Sequence, residues 1–344
     1  MDRYARLFEK YYEYTHTQTR ELLEHWRVHT NRRTIVLSVA VGAIAIVGYL
    51  FTMRAPDDFP LNQLVEIPKG LTDQQIAEKL EESHVIRSPL MFRAVVMITG
   101  SGGQLHAGDY MFKEPKDLFS VAQAISEGAF GLEPYRIRIP EGAMTKDMAA
   151  IFGAALPRFN KEKFMEVAEP MEGYLFPDTY FFLPNATEDT VIETMRSNFD
   201  THIAMLEEEI AEFGKPFTDV VIMASIVERE ARKYEDRRMI AGVLWRRLDK
   251  GMPLQADVTF LYTIGKGTFD LSMDDLRSDS PYNTYKNKGL PPTPIGSPSL
   301  ASLQASLTPI DKGYLFYLAD NSGVTHFSKT YAQHQEYKRM YLGN

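Results

Sequence analysis

The segment VVIMASIVEREAR (Val220 to Arg232) places two carboxylates, Glu228 and Glu230, directly after an apolar run. The rest of the chain narrows what chemistry such groups could do. There is no cysteine, which excludes thiol catalysis, disulfides and cysteine-held zinc. The eight histidines are scattered, and no pair has metal-ligand spacing on a shared face. No Gly-x-Ser-x-Gly elbow presents a serine nucleophile. Carboxylates remain the strongest catalytic candidates, with no metal and no cofactor called for. On a helix starting near Phe217, Glu228 shares a stripe with Val221, Ala224, Ser225 and Ala231. Glu230 is turned about 200° away at 3.6 residues per turn, so the two cannot flank one bond. One reading of Glu228 is plain: an exposed i,i+4 pair with Arg232, worth a few tenths of a kcal/mol. The other is a groove opened by small side chains, in which apolar neighbours raise the pKa of Glu228. A rise of one pKa unit corresponds to about 1.4 kcal/mol. An acid tuned in this way can protonate a glycosidic oxygen near neutral pH.

The segments around that helix supply groups of a second kind. SPYNTY brings Tyr282, Asn283, Thr284 and Tyr285 into one short loop. EGYLFPDTYFF adds Tyr174, Phe176, Asp178 and Tyr180, and LQADVTFLY adds Gln255 and Asp257. Aromatic faces beside amides and hydroxyls suit sugar rings, which present C–H faces and equatorial hydroxyls. The same aromatics could equally pack beneath proline-rich loops.

The elements that must position these residues can be read in outline. TIVLSVAVGAIAIVGYLFTM (Thr34 to Met53) is an uncharged run as long as a helix needs to cross the hydrocarbon of a bilayer. Basic residues precede it and APDDFP follows, so the positive-inside rule puts the N-terminus in the cytoplasm. A body of roughly 290 residues then lies outside, behind an uncleaved signal anchor. Net charge is −8, which argues against a nucleic-acid partner. Residues 1–33 read as a short amphipathic cytoplasmic helix. VEIPKGLTDQQIAEKL (Val65 to Leu80) and IRIPEGAMTKDMAAIF (Ile137 to Phe152) align without a gap, each a short strand, Ile-Pro-x-Gly and a helix with a nearby Thr as N-cap. The first copy continues through a helix at Pro89–Ile98, a flexible turn at Gly100–Gly103, the strand-like HAGDYMF and a further helix. Its pattern resembles small LysM-type carbohydrate-binding modules. Long helical patterns follow at about Thr187–Phe213 and Phe217–Lys250, then a loop-rich stretch, a hairpin GYLFYLA-DNSG-VTHFS and a last helix. The expected fold is α+β: a transmembrane helix over 34–53, a LysM-like module over 54–135 and a mixed catalytic domain over 136–344.

ASIVEREA, LQADVTFLY, SPYNTY and GLPPTPI, with EGYLFPDTY upstream, occur in the order and spacing of one family. The chain closely resembles the membrane-anchored endolytic murein transglycosylases of the YceG-like family. That resemblance covers most of the region after the span and makes Glu228, from the A-S-I-V-E motif, the acid/base. It implies non-hydrolytic cleavage of the MurNAc-β-1,4-GlcNAc bond of peptidoglycan, leaving 1,6-anhydroMurNAc ends, with termination of nascent strands as the role. It further implies an inner-membrane location with the catalytic domain periplasmic, and peptidoglycan synthases as partners. Gln255, Asp257, Tyr282, Asn283, Thr284, Tyr285, Tyr174 and Asp178 are then the candidates for holding the glycan. Ala256 and Val258 stand where the family pattern usually has Thr and Pro, which bears on the roles of Gln255 and Asp257. Two alternatives stay open: a hydrolytic muramidase, with Asp178 or Asp257 as second carboxylate, and a non-enzymatic wall-binding scaffold.

Overall fold

Helix α1 (Arg32–Thr52) opens the part of the chain described by the computed structural model, which comprises residues 32–100, 105–267 and 270–343. The cytoplasmic segment expected over 1–33 lies outside the described residues except for Arg32 and Arg33. Of the turn expected at Gly100–Gly103 only Gly100 is described, and it ends its helix in the left-handed region at φ 72°. At 1.5 Å per residue α1 is about 31 Å long. None of its residues is buried by the described residues, and this fits a single-pass membrane anchor. The chain divides into two compact units, one ending at Leu132 and the other running Glu133–Asn344.

The first unit continues with β1 (Leu64–Ile67), α2 (Asp73–Glu82), α3 (Pro89–Thr99), β2 (Gly108–Met111) and α4 (Leu118–Glu127). β1 and β2 pair antiparallel, Leu64 opposite Met111, and the helices close over Val65, Ile67, Phe92 and Tyr110. The starts are set by local chemistry. Thr72 and Gln75 form a capping box on α2, Ser88 caps α3 with Pro89 at its first position, and Asp117 caps α4.

The second unit begins with the same β-α-α-β order: β3 (Tyr135–Arg138), α5 (Thr145–Ala155), α6 (Lys161–Ala168) and β4 (Thr179–Phe182). β3 and β4 are again antiparallel, Ile137 opposite Tyr180. The repetition therefore extends beyond the two segments whose sequences align. Tyr110 donates to the carbonyl of His106 at 2.7 Å, and Tyr180 donates to that of Phe176 at 2.7 Å, the same i−4 bond in the second strand of each pair. The expected N-cap differs in the second copy. Thr145 sits one position inside α5, with Met144 at the cap, because the residue aligned with Thr72 is a methionine.

Helices α7 (Glu188–Ala204), α8 (Glu207–Phe213), α9 (Phe217–Glu230) and α10 (Tyr234–Asp249) follow. Each of the two long helical patterns is thus broken once, at Met205–Leu206 and at Ala231–Lys233. Beyond them lie α11 (Val258–Ile264), α12 (Met273–Arg277), α13 (Leu300–Leu307), the hairpin β5 (Phe316–Ala319) and β6 (Thr325–Ser328), and α14 (Tyr331–Leu342). α9 is buried continuously from Val220 to Val227 because α10, α11 and α13 all pack on it. This is why its apolar run shows no polar face. α10 approaches the backbone at Ile310 so closely that a Cβ on Gly242 would lie 2.2 Å from the Ile310 oxygen. Gly242→Ala is expected to lower stability by about 2 kcal/mol through this overlap. Denaturant titration checks it, the midpoint falling with an unchanged slope.

Candidate active site

The last turn of α9 sends three charged side chains in three directions. The helix stops there: Ala231 is extended at φ −145°, ψ 149°. Arg232 is therefore not on the helix, and the expected pair with Glu228 does not form. Glu228 instead meets Arg237 of α10 at 2.7 Å, with side chains only 4% and 10% exposed respectively. Its other oxygen accepts from the Ser299 amide at 2.8 Å and from the Ser299 hydroxyl at 2.5 Å. Ser299 is the N-cap of α13, so the carboxylate also faces the positive end of that helix. Arg237 donates further to the Ala231 carbonyl at 2.8 Å and to the Ser299 hydroxyl at 3.1 Å. Both Glu228 oxygens are thus engaged by buried donors of the protein.

Arg229 points toward the second Ile-Pro-x-Gly segment and donates to the Gly142 carbonyl at 2.6 Å. Gly142 has φ 72°, and a Cβ there would lie 3.4 Å from the Glu228 side chain. Nearby, Glu172 is buried and accepts from both the amide and the hydroxyl of Thr145. Burial raises its pKa. A cleft of about 260 Å³ opens beside this group, lined by Thr145, Lys146, Glu172 and Tyr262 among others.

Glu230 takes the third direction. It is half-buried as a residue. Desolvation nevertheless raises its carboxyl to about 7. The Tyr317 hydroxyl donates to it and Arg247 attracts it, both favouring the charged form, while Asp257 repels it and favours the proton. The cluster is assembled from distant segments. Arg247, 5% exposed, donates to the carbonyls of Leu254 at 2.6 Å and Leu315 at 2.7 Å. It thereby ties α10 to the segment bearing Gln255 and Asp257 and to the strand bearing Tyr317. The Tyr285 hydroxyl donates to Asp257. Burial raises the pKa of both Tyr285 and Tyr317, which keeps them as donors. Gln255 is exposed and held at φ 55°, a conformation that non-glycine residues rarely adopt.

The sequence-derived residues thus separate into groups. Gln255, Asp257 and Tyr285 gather with Glu230. Tyr282, on the same loop, has its ring 5.2 Å from that of Tyr262, which lines the cleft beside Glu172, and its hydroxyl 2.8 Å from that of Thr293. Asn283 and Thr284, read from sequence as sugar donors, have their polar atoms occupied by the loop itself. The buried Asn283 amide donates to the carbonyls of Leu276 and Ser278 and accepts from the Tyr285 amide. The Thr284 hydroxyl accepts from the Ala256 amide at 2.9 Å, and the Thr284 carbonyl accepts from the Gln255 amide at 3.0 Å. Together they stitch SPYNTY to LQAD. Tyr174 and Asp178 lie elsewhere. Tyr174 packs on Phe199 and Arg196 and senses Asp219, which is about 16 Å from Glu230 along α9. Asp178 is exposed and accepts from its neighbour Thr179 and from Asn198. Sequence reasoning missed Arg247 and Tyr317. The only signal for Tyr317 was its place in the hairpin strand FYLA.

Residues 65–340 match the YceG-like family. A Bacillus subtilis protein named endolytic murein transglycosylase is 32% identical over 307 residues, covering 81% of this chain and 85% of that protein. A Streptococcus pneumoniae protein of the same name is 29% identical over 314 residues, covering 79% of this chain. This chain spans only 56% of that longer protein. The crystal structure of a yceG-like protein from Listeria monocytogenes matches with a TM-score of 0.54 at 32% identity, covering 80% of this chain and 98% of that one.

The two carboxylates predict opposite stability effects. Glu228→Gln leaves the buried Arg237 without its counter-charge and is expected to cost about 3 kcal/mol. For Glu230 the folded state binds its proton more tightly than the unfolded state. Stability is therefore lost as pH rises between the ordinary 4.5 and about 7. Glu230→Gln should match the parent near pH 4.5 and exceed it above pH 7, by at most ~3 kcal/mol. Denaturant titrations of both variants across this range check the two signs.

Proposed function

The chain belongs to the YceG-like family, and from that premise we propose that it is an endolytic murein transglycosylase whose acid/base is Glu230. The observation that carries this reading is a half-buried glutamate at the end of α9 whose carboxyl is raised to about 7 by its surroundings. At neutral pH such a group is populated in both the acid and the base form, and each step of the reaction needs one of them. Glu228, the residue expected from sequence, has both oxygens held by Arg237 and Ser299. We assign it the role of fixing the end of α9.

In the proposed reaction the neutral Glu230 protonates the glycosidic oxygen leaving C1 of N-acetylmuramic acid. The resulting carboxylate removes the proton of the muramyl 6-hydroxyl, and that oxygen attacks C1. The product is a 1,6-anhydro end, and no water is consumed. One carboxylate suffices because the nucleophile belongs to the substrate. Tyr317 positions Glu230, and Gln255, Tyr282 and Tyr285 border the space where the sugar would lie. The residues on that rim are polar and aromatic, which suits a saccharide. Asp257 beside Glu230 is the feature that favours a second reading, hydrolysis with two carboxylates. Its bond from Tyr285 supports a positioning role instead.

The apolar helix α1 tethers the enzyme, with the N-terminus cytoplasmic and the body outside, as the basic flank before it and APDDFP after it imply. Tethering keeps cleavage at the membrane, where nascent strands are polymerised, and this makes the synthases natural partners. The β-α-α-β order of the first unit, with its antiparallel pair, supports a LysM-like role in holding glycan.

Digestion of purified murein by the full chain, read by mass spectrometry, tests the reaction. Anhydro ends are expected, and reducing ends, heavier by one water, would select hydrolysis. Glu230→Gln should lower the rate at least ~100-fold. The rate should fall on the alkaline side of about pH 7 as Glu230 loses its proton. Tyr317→Phe removes a bond that favours the carboxylate, so it should move this alkaline limb to higher pH.

A further inference from the structure

α3 is apolar on both faces. Its inner face, Phe92, Val95 and Val96, is buried in the core of the first unit. Its outer face carries Leu90, Met97 and Ile98, which are 73%, 78% and 84% exposed. Leu90, Arg93 and Met97 follow one another at i, i+3 and i+7, so the guanidinium sits within this apolar face. Exposed apolar surface of this kind marks a contact with something outside the folded unit.

The place of the helix in the fold says what that is. α1 ends at Thr52, and the chain leaving it is bound to this module at once. The Leu118 amide, in the first turn of α4, donates to the Met53 carbonyl at 2.8 Å. Arg87, just ahead of α3, donates through Nε and Nη2 to the Ala55 carbonyl at 3.2 and 3.1 Å and pairs with Asp57 at 3.1 Å. Met53 and Ala55 themselves pack on the module core. No free linker separates the span from the module, and the N-termini of α3 and α4 lie where the chain leaves α1. Phe119, beside Leu118, is 50% exposed at the same end.

We propose that α3 is an interfacial helix: its outer face, with Phe119, lies in the outer surface of the bilayer that α1 crosses. Leu90, Met97, Ile98 and Phe119 enter the acyl boundary, and Arg93 reaches the lipid phosphates. The module is then seated on the membrane as well as tethered to it, which fixes its height and tilt. This rests on the reading of α1 as a membrane span.

The absence of cysteine makes the test direct. Single variants Leu90→Cys, Ile98→Cys and Phe119→Cys of the full chain are labelled with an environment-sensitive fluorophore. They are reconstituted in vesicles of phosphatidylethanolamine and phosphatidylglycerol carrying spin-labelled lipid quenchers, shallow ones for the module sites and deep ones for the span. Gln74→Cys, exposed near the start of α2, serves as the reference, and Ile44→Cys reports the span. Quenching at positions 90, 98 and 119 is expected to exceed that at 74 by about twofold or more. If 44 is quenched but the three module sites match 74, the seating is overturned while the span stands. If 44 is also unquenched, both fail. Quenching at 90 alone contradicts a helix lying along the surface. Blue-shifted emission at 90 and 98 without quenching identifies a protein contact, such as a second copy, and overturns the proposal as well.

Discussion

The ion pair between Glu228 and Arg237, closed by Ser299, is the constraint on which the active end of this protein depends. It joins the last turn of α9, the start of α10 and the N-terminus of α13 at one buried point. Desolvating two charges is costly, and such a pair holds only when its remaining donors and acceptors are met. Here they are: Ser299 supplies an amide and a hydroxyl to the carboxylate, and the Ala231 carbonyl takes another guanidinium donor. That last bond also holds the residue at which α9 breaks. Ser225, one turn earlier, accepts the Ile295 amide at 3.0 Å and so anchors the GLPPTPI loop to the same helix. The helix end is therefore immobilised from several sides.

A fixed helix end lets the neighbouring carboxyl be unfavourable. Glu230 sits at the negative pole of α9, partly desolvated and near Asp257, and each of these raises the free energy of its charged form. Left to itself such a side chain would swing into water. The Tyr317 bond and the electrostatic pull of Arg247 retain it, and Arg247 in turn locks the two segments that carry Asp257 and Tyr317. Gln255, in its left-handed conformation, is stitched to Thr284 through its own amide. Strain and charge are concentrated at the point where the stable clamp of Glu228 is adjacent. Two glutamates two residues apart thus have opposite duties, one holding the structure and one held by it.

The sequence made part of this legible. Helical periodicity already turned Glu228 and Glu230 to different faces, and the order of motifs identified the loops that surround them. Periodicity could not say what each face meets. Arg237 lies beyond the break at Ala231, and a continuous helix from Phe217 to Lys250 pairs Glu228 with Arg232 instead. Tyr317 comes from a hairpin far along the chain, and no local pattern links it to Glu230. Asn283 and Thr284 looked like ligand donors because residue type shows capacity for hydrogen bonds and not whether that capacity is already used. The β-α-α-β repetition was visible only where its sequences align; its second half emerges from the paired strands and the shared tyrosine bond.

Chemistry at this helix end depends on Glu230 carrying a proton near neutral pH. The most direct measurement is a pH titration of the glutamate side-chain carboxyl carbons by NMR, with Glu230 assigned by its absence from the spectrum of Glu230→Gln. This resonance is expected to titrate near 7. A midpoint at the ordinary carboxylate value of 4.5 would contradict it.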